Sequence, residues 1–155
     1  MSLRTLLTSL LAMAAIASHA AAPATSSDQP FTVEYYYRIK WGQQEEWMEL
    51  FRRSHWPIMV EEMKQGYILD VQVQQPQTYE PDPYRWDVRV SVTYKSVLVP
   101  FGMSDRDREQ TLARLFPDRE QQARDERRRK ELLEALWEVA IKPVTTAHWQ
   151  TRAAK

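Results

Sequence analysis

The sequence predicts a small α+β domain in which an antiparallel β-sheet packs against helices. Three segments alternate apolar and polar residues with a period of two, which is typical of strands. The segments between and after them carry apolar residues at helical spacing. Strands with one apolar and one polar side are typical of an antiparallel sheet that packs on one face only. We therefore expect one buried and one open face of the sheet.

The N-terminal segment has the layout of a cleavable secretory signal. Residues 1–20 begin with one basic side chain, Arg4, continue with an apolar run from Leu6 to Ala17, and end on small residues. The run is shorter than the about 20 residues that a membrane-spanning helix needs, so we predict cleavage after Ala20. A membrane anchor is the alternative. The mature protein is expected to be periplasmic or secreted, without membrane contact.

The amino-acid composition limits the classes of partner and the kinds of chemistry that can be expected. The 21 Lys+Arg and 21 Asp+Glu residues balance, and loss of Arg4 with the signal leaves a net charge of −1. A chain without an excess of basic residues is not expected to bind nucleic acid. The sequence contains no cysteine, which excludes disulfides and thiolate chemistry. Residues 21–30 are small and polar, so we expect a disordered leader followed by one domain over 31–155.

Three strands are predicted at 31–41, 67–74 and 86–95. Their inward side chains are expected to be Phe31, Val33, Tyr35, Tyr37, Ile39 and Trp41 in the first, Tyr67, Leu69, Val71 and Val73 in the second, and Trp86, Val88, Val90, Val92 and Tyr94 in the third. Residues 75–85 contain several prolines and predict a long loop rather than a tight turn.

The helix predicted over 43–65 carries two apolar stripes on opposite sides. The first stripe is Trp47, Leu50, Phe51, Ser54 and Ile58, and the second is Trp56, Met59, Val60 and Met63. Pro57 has no N–H for the Arg53 carbonyl, so we expect a break or kink at 55–57, with Ser54 as the N-cap of the second piece. The second stripe is then free to pack against the C-terminal helix or another subunit.

The C-terminal half predicts two helices and a final extended segment. Ser104 is a candidate N-cap for the first helix. The second helix is predicted over 118–141, with a charged first half. Its expected core face is Leu132, Leu133, Leu136, Trp137, Ala140 and Ile141. Pro143 ends this helix, and 142–150 is a candidate fourth strand.

The element order β–α–β–β–α–(β) is that of the ferredoxin-like unit. The stretch KWGQQEEWMELFRRSHWPIMVEEMKQGYI, residues 40–68, resembles small members of the dimeric α/β-barrel superfamily, in which a strand ends in Lys–x–Gly, a helix has a His/Pro break, and a Gly precedes the second strand. The resemblance covers about residues 31–100, and the extended C-terminal helix fits it less well. It implies a homodimer whose two sheets close into a barrel. The superfamily includes monooxygenases, decarboxylases, haem enzymes and members without known activity, so the fold implies no single function.

Two histidines are candidate catalytic residues. His55 lies at the predicted helix interruption and His148 in the C-terminal extended segment, and either is a candidate general base. The alternative for His55 is a structural side chain that binds a freed helix carbonyl. Position 59, where the zinc pattern H-E-x-x-H would need a second histidine, is methionine. No metal and no cofactor are expected.

Candidate ligand-binding residues lie on the polar side of the strands. Tyr36, Arg38 and Arg89 are predicted to share that side and to line a pocket for an aromatic or anionic small molecule. The alternative is a sheet surface that faces solvent or a second subunit.

The sequence therefore favours an exported small-molecule binding or interaction domain of unknown ligand. The alternative is a cofactor-free monooxygenase- or isomerase-type enzyme, with His55 or His148 as base and Tyr36 and Arg38 orienting the substrate. The sequence alone leaves open whether the protein is an enzyme.

Overall fold

A computed structural model describes residues 29–78, 81–99 and 105–144. Within these residues, four antiparallel strands form one sheet in the order β2-β3-β1-β4. The strands are β1 (Phe31–Ile39), β2 (Ile68–Gln74), β3 (Val88–Tyr94) and β4 (Leu133–Ile141). The helices are α1 (Gln44–Leu50), α2 (Trp56–Lys64), α3 (Asp105–Leu115) and α4 (Arg119–Glu131), and a π-helical segment (Phe51–His55) joins α1 to α2. The predicted α+β class with an antiparallel sheet is confirmed.

The core lies between one face of the sheet and the helices. Val33 of β1 pairs with Val92 of β3, which in turn pairs with Val71 of β2. Three apolar strand faces therefore form one surface, as the alternation predicts. Trp47 and Phe51 pack on it and are almost fully buried. Burial of such side chains stabilises the fold by about 1.5–3 kcal/mol each.

The helix interruption is a π-helical segment rather than a break. The Trp56 N–H donates to the Phe51 carbonyl, five residues earlier. One extra residue rotates the following helix by about 100°, so the second stripe turns toward the same core as the first. Met59 is buried there. Pro57 lies in the first turn of α2, where its missing N–H is tolerated.

β1 and β3 are shorter than predicted. A cluster of buried polar side chains lies beyond their ends, at the edge of the sheet where β1 ends and β3 begins. Asp87, which alternates with the inward Trp86 and Val88 of the predicted strand and so should point outward, is buried, and its Oδ2 accepts from the Ile39 N–H at 2.7 Å. Arg85 is buried beside it and donates to the same carboxylate at 2.9 Å. Trp41, expected inside, is exposed in the turn after β1, with the Arg85 guanidinium carbon 4.2 Å from its ring centroid. Trp86, also expected inside, contacts Tyr36 of the open face instead.

The inward residues of β2 were predicted in the wrong phase at its start. Ile68 is 3% exposed, whereas Leu69, expected inside, is 53% exposed. The register with β3 shifts between Ile68 and Asp70, and such a bulge inverts the alternation on one side of it. Val71 and Val73, beyond the bulge, pair with Val92 and Val90 as the pattern predicts.

The predicted helix over 118–141 is wrong in its second half. α4 ends at Glu131, Leu132 is its C-cap, and β4 begins at Leu133. β4 pairs with β1 along nearly its whole length, from Ile39↔Leu133 to Thr32↔Ile141. This long-range pairing overrides the local helical spacing of the leucines. The fourth strand therefore exists, but it precedes the segment proposed for it at 142–150.

Several predictions fall outside the described residues. These concern the signal, most of the leader, the Ser104 cap, His148 and the end of the proposed strand, residues 145–150. No helix in the described part of the chain is long and apolar enough to cross a membrane.

Candidate functional site

The predicted ligand-binding residues lie on the open face of the sheet. Tyr36 of β1 pairs directly with Arg89 of β3. The Tyr36 hydroxyl donates to Glu34 at 2.6 Å, and Arg89 Nη1 lies 3.4 Å from the same carboxylate. The ring of Tyr36 stacks on Trp137 of β4, with centroids 5.5 Å apart and planes inclined by 1°. The structure thus brings Tyr36 and Arg89 together within an aromatic and charged surface.

Arg38 lies on the same strand but has different partners. Its guanidinium donates to the Pro83 carbonyl at 3.1 Å and lies 3.4 Å from Glu134 of β4. Arg38 therefore ties the loop before β3 to the edge of the sheet, and it does not join Tyr36 and Arg89 in one group.

A cavity of about 430 Å³ lies on the opposite face of the sheet, beneath the helices. None of Tyr36, Arg38 and Arg89 lines it, whereas His55 does. Its apolar and aromatic walls are Tyr35, Tyr37, Phe51, Ile58, Met59, Ile68, Val90, Val92, Tyr94, Leu112 and Leu136. Its polar walls are His55, Glu62, Arg108, Thr111, Gln122, Glu126, Arg129, Lys130 and Glu138. The size, and a lining that combines apolar and aromatic walls with polar groups, are those of small-molecule sites in proteins.

His55 faces a charged pair supplied by α4. Arg129 is buried and donates to Glu126 through Nη2 at 2.8 Å and through Nε at 3.2 Å. His55 Nδ1 lies 3.4 Å from Arg129 Nη2 and 3.6 Å from Glu126 Oε2. The guanidinium carbon of Arg129 also lies 5.6 Å from the ring centroid of Trp47, so this cation rests on the aromatic core.

Glu126 is held in its charged form. Burial acts to raise its pKa, but the neighbouring His55, Arg129 and Ser54 outweigh burial and hold the pKa far below its usual range. Ser54 Oγ lies 2.7 Å from Glu126 Oε1 and donates to it. Position 54 therefore supplies a partner for a carboxylate, instead of the predicted helix cap.

The other end of the cavity contains two tyrosine hydroxyls and a carboxyl group. The hydroxyls of Tyr35 and Tyr94, on β1 and β3, lie 3.0 Å apart. Burial raises the pKa of both, so both stay protonated at neutral pH. Burial raises the pKa of Tyr37 to about 12. Burial also raises the pKa of Glu62, and Arg108 and His55 oppose this only in part.

The contacts of His55 involve its Nδ1 atom. Arg129 can only donate and the Glu126 carboxylate can only accept, so the two neighbours of Nδ1, at 3.4 Å and 3.6 Å, call for opposite tautomers of the ring. In either tautomer Nδ1 lies against the Glu126–Arg129 pair. Among the described residues, no three His, Cys, Asp or Glu side chains are placed to hold a metal ion.

Sequence reasoning missed Glu126 and Arg129, because the segment that contains them is almost wholly charged. The structure buries Gln122, Asp125 and Arg129 of α4 and leaves the other face exposed. Positions 122, 125, 126 and 129 follow the i, i+3, i+4, i+7 spacing of a buried helix face. Helical spacing among polar residues is the signal that points to this face.

Neither protein-family models nor curated proteins match the sequence. Among solved structures, the fold is similar to that of a dimeric ferredoxin-like protein from an uncultured marine organism, with 6% identity and a TM-score of 0.51 over 78% of this chain and 96% of that one. The likeness shows the ferredoxin-like fold, and the sequence-based resemblance is thereby confirmed at the level of the fold.

Two further structures are less similar in fold, as their lower TM-scores show. One is a NIPSNAP family protein from Agrobacterium tumefaciens, with 18% identity and a TM-score of 0.44 over 77% of this chain and 90% of that one. The other is a putative antibiotic biosynthesis monooxygenase from Bacteroides thetaiotaomicron, with 11% identity and a TM-score of 0.42 over 77% of this chain and 93% of that one. At this distance, neither says anything about the activity of this chain.

Proposed function

We propose that this protein binds a small molecule in the cavity between the sheet and the helices. The observation that carries the proposal is a cavity of about 430 Å³ whose wall combines apolar and aromatic side chains with hydrogen-bonding and charged ones. The open face, where the sequence predicts the ligand-binding residues, instead presents a surface of stacked rings and paired charges. The ligand site is thus assigned to the helix side of β1 rather than to Tyr36, Arg38 and Arg89.

A matched pair of leucine substitutions tests the cavity. Leu136 of β4 lines the cavity and is 48% exposed, whereas Leu69 of β2 is 53% exposed and lies outside it. We expect Leu136→Trp to fill the cavity and to weaken binding of the fluorescent probe N-phenyl-1-naphthylamine at least tenfold. Leu69→Trp is expected to bind the probe like the parent protein. Equal probe binding by all three proteins, or no binding by the parent, contradicts the proposal.

The open face of the sheet is proposed as the surface of a homodimer. Trp137, Val139 and Ile141 add apolar area to this face at β4, beside Tyr36. The ferredoxin-like structure from the marine organism is described as dimeric, which supports this arrangement. The ligand cavity and the dimer surface then lie on opposite faces of one sheet.

Export to the periplasm or the medium also belongs to the proposal. The support is the layout of residues 1–20, with one basic residue, an apolar run and small residues before Ala20. When the full chain is expressed in a bacterial host, we expect the protein outside the cytoplasm to begin at Ala21. N-terminal sequencing checks this, and an intact N-terminus on the exported protein contradicts it.

Catalysis by His55 is the weaker candidate. His55 lines the cavity, as a base in a barrel pocket must, but its Nδ1 lies against the Glu126–Arg129 pair. Binding needs only the donors and apolar walls that the cavity provides, and it is therefore the function that the geometry supports best.

A further inference from the structure

One end of the cavity carries three hydrogen-bonding side chains, Tyr35, Tyr94 and Glu62. We call these three side chains the polar end. They also line an adjoining cavity of about 130 Å³, so the polar end is shared by both spaces. We infer that the cavity takes an uncharged, mostly apolar molecule with a single hydroxyl or carbonyl oxygen, and that the polar end binds this oxygen. The inference rests on the proposed function and adds to it the chemical class of the ligand.

The tyrosine pair has a hydrogen to spare. A hydroxyl has one hydrogen and two lone pairs, so when one tyrosine donates to the other across 3.0 Å, the accepting tyrosine keeps its own hydrogen for another acceptor. Burial keeps both hydroxyls protonated, because it raises their pKa values. A ligand oxygen is an acceptor that can satisfy this remaining hydrogen.

Glu62 has hydrogen-bonding capacity that the described part of the chain does not use. Within those residues its carboxyl group makes no hydrogen bond, although burial raises its pKa. A protonated carboxyl group donates one hydrogen bond and accepts others. Glu62 is partly buried, so a ligand oxygen at this place gains a hydrogen bond to its carboxyl group and replaces one to water.

The charges around the cavity argue against a charged ligand. Glu126 is paired with Arg129 at 2.8 Å, and the two charges compensate each other. An anion at the polar end would lie beside the Glu62 carboxyl group. A cation would lie near Arg108, and the further charges on the cavity wall, Lys130 and Glu138, are of opposite sign and compensate each other. Transfer of either ion from water into this partly enclosed space is costly unless one group is free to serve as its counter-ion.

Three probes that differ only at one end test the ligand class. They are 4-phenylbutan-1-ol, 4-phenylbutanoate and 4-phenylbutylammonium, titrated into the purified protein and followed by ligand-observed NMR at pH 7. We expect the alcohol to bind at least tenfold more tightly than the carboxylate and the ammonium ion.

Single substitutions assign the preference to the polar end. Tyr94→Phe removes one hydroxyl, and the loss of about one hydrogen bond should weaken alcohol binding roughly three- to tenfold. Tyr36→Phe is the matched control, because it also removes one tyrosine hydroxyl from the sheet, but from the face opposite to the cavity. It should change alcohol binding less than twofold.

The pH dependence of alcohol binding tests the role of Glu62 separately from the roles of its neighbours. The titratable groups around it are Arg108 of α3, His55 at the end of the π-helical segment, Tyr35, Tyr94, Tyr67 and, on β4, Glu138. A ligand that excludes water favours the protonated carboxyl group, so alcohol affinity should fall as the pH rises through the pKa of Glu62. Glu62→Gln should abolish this part of the pH dependence and retain binding.

The outcomes separate the inference from the proposed function. If the carboxylate or the ammonium ion binds as tightly as the alcohol, or if Tyr94→Phe binds the alcohol like the parent, the inference is wrong and the cavity remains a binding site. If none of the three probes binds, or if Leu136→Trp binds them all unchanged, the inference and the proposed function both fail.

Discussion

Ser54 and Glu126 are two polar side chains at the edge of an apolar core. Ser54 is 1% exposed, and its Oγ lies 2.8 Å from the Leu50 carbonyl and 2.7 Å from Glu126. A carboxylate in such a place is stable only while its partners hold it. At the scale of single residues, His55, Arg129 and Ser54 together decide the charge state of Glu126 beside the cavity.

Glu126→Gln tests this arrangement through the pH dependence of stability. The pKa of Glu126 is lowered in the folded protein, so the unfolded chain takes up the proton first as the pH falls. The stability that Glu126 contributes is therefore present above its unfolded pKa of about 4.3 and is lost as the pH falls through the folded pKa. At pH 7 the substitution should reduce the free energy of unfolding by about 1–3 kcal/mol, measured by urea denaturation.

The difference between the parent protein and Glu126→Gln should shrink below about pH 4. Glu120→Gln is the control on the same helix, because Glu120 is exposed and its ion pair with Arg124 is long, at 3.5 Å. It should stay within about 0.5 kcal/mol of the parent at every pH. A constant difference for Glu126→Gln down to pH 3 contradicts the assignment.

The sequence leaves His55 as either a candidate base or a structural side chain, and the structure places it on the wall of the cavity. The same reasoning places Tyr36, Arg38 and Arg89 correctly on the polar side of the strands, but it cannot tell which side of the sheet contains a cavity. That depends on how α3 and α4 cover the other face, and helix placement is set by contacts distant in the sequence.

Helix α4 is attached to α1 and the π-helical segment largely by charged contacts. Arg53 binds Asp125 through two bonds of 2.7 Å and 3.0 Å, and Arg128 binds Glu46 through two bonds of 2.7 Å and 3.1 Å. The buried residues of the helix are all polar. Asp125 is buried, but Arg53, Arg128 and Glu46 are about half-exposed. Ion pairs with exposed members are weak and are screened by salt, so α4 should be held less firmly than the strands.

Salt should therefore loosen α4 selectively. Between 0.05 M and 1 M sodium chloride the screening length falls from more than 10 Å to about 3 Å. We expect faster amide hydrogen exchange over residues 119–131, with little change in β3. Asp125→Asn should produce the same pattern at low salt, because it removes the charge that Arg53 binds. Uniform exchange changes in α4 and β3 contradict this account.

At the scale of elements, the strands with strict alternation, β1 and β3, could be predicted from the sequence. β4 could not, because its leucines also satisfy helical spacing and its pairing with β1 spans about a hundred residues. The π-helical segment is a further case. The two apolar stripes and Pro57 indicate an interruption, but not that an extra residue in the turn brings both stripes onto one core.

The whole molecule has one sheet with different surfaces on its two faces. Val139 of β4 lies on the open face and Leu136 on the helix side, because they pair with Glu34 and Tyr37 of β1. Both are more than 40% exposed in the single chain. They therefore distinguish an interface on the open face from one on the other side.

We expect the protein to be a dimer by light scattering and Val139→Glu to be a monomer, since a buried unpaired carboxylate opposes association. Leu136→Glu also introduces a glutamate into β4, but on the opposite face, and this variant should remain a dimer. A monomeric parent protein, or a dimer that survives Val139→Glu, contradicts the assignment of the interface. Dissociation by Leu136→Glu alone places the interface on the other face.

Strand β1 serves both surfaces with alternate side chains: Tyr35 and Tyr37 line the cavity, and Tyr36 belongs to the open face. Insertion or deletion of one residue in this strand would turn the cavity-lining side chains to the open face and the open-face side chains to the cavity, so that both surfaces would lose the groups they have now. Related chains that keep both surfaces can therefore vary β1 by substitution, but they can change its length only by an even number of positions or with a compensating bulge.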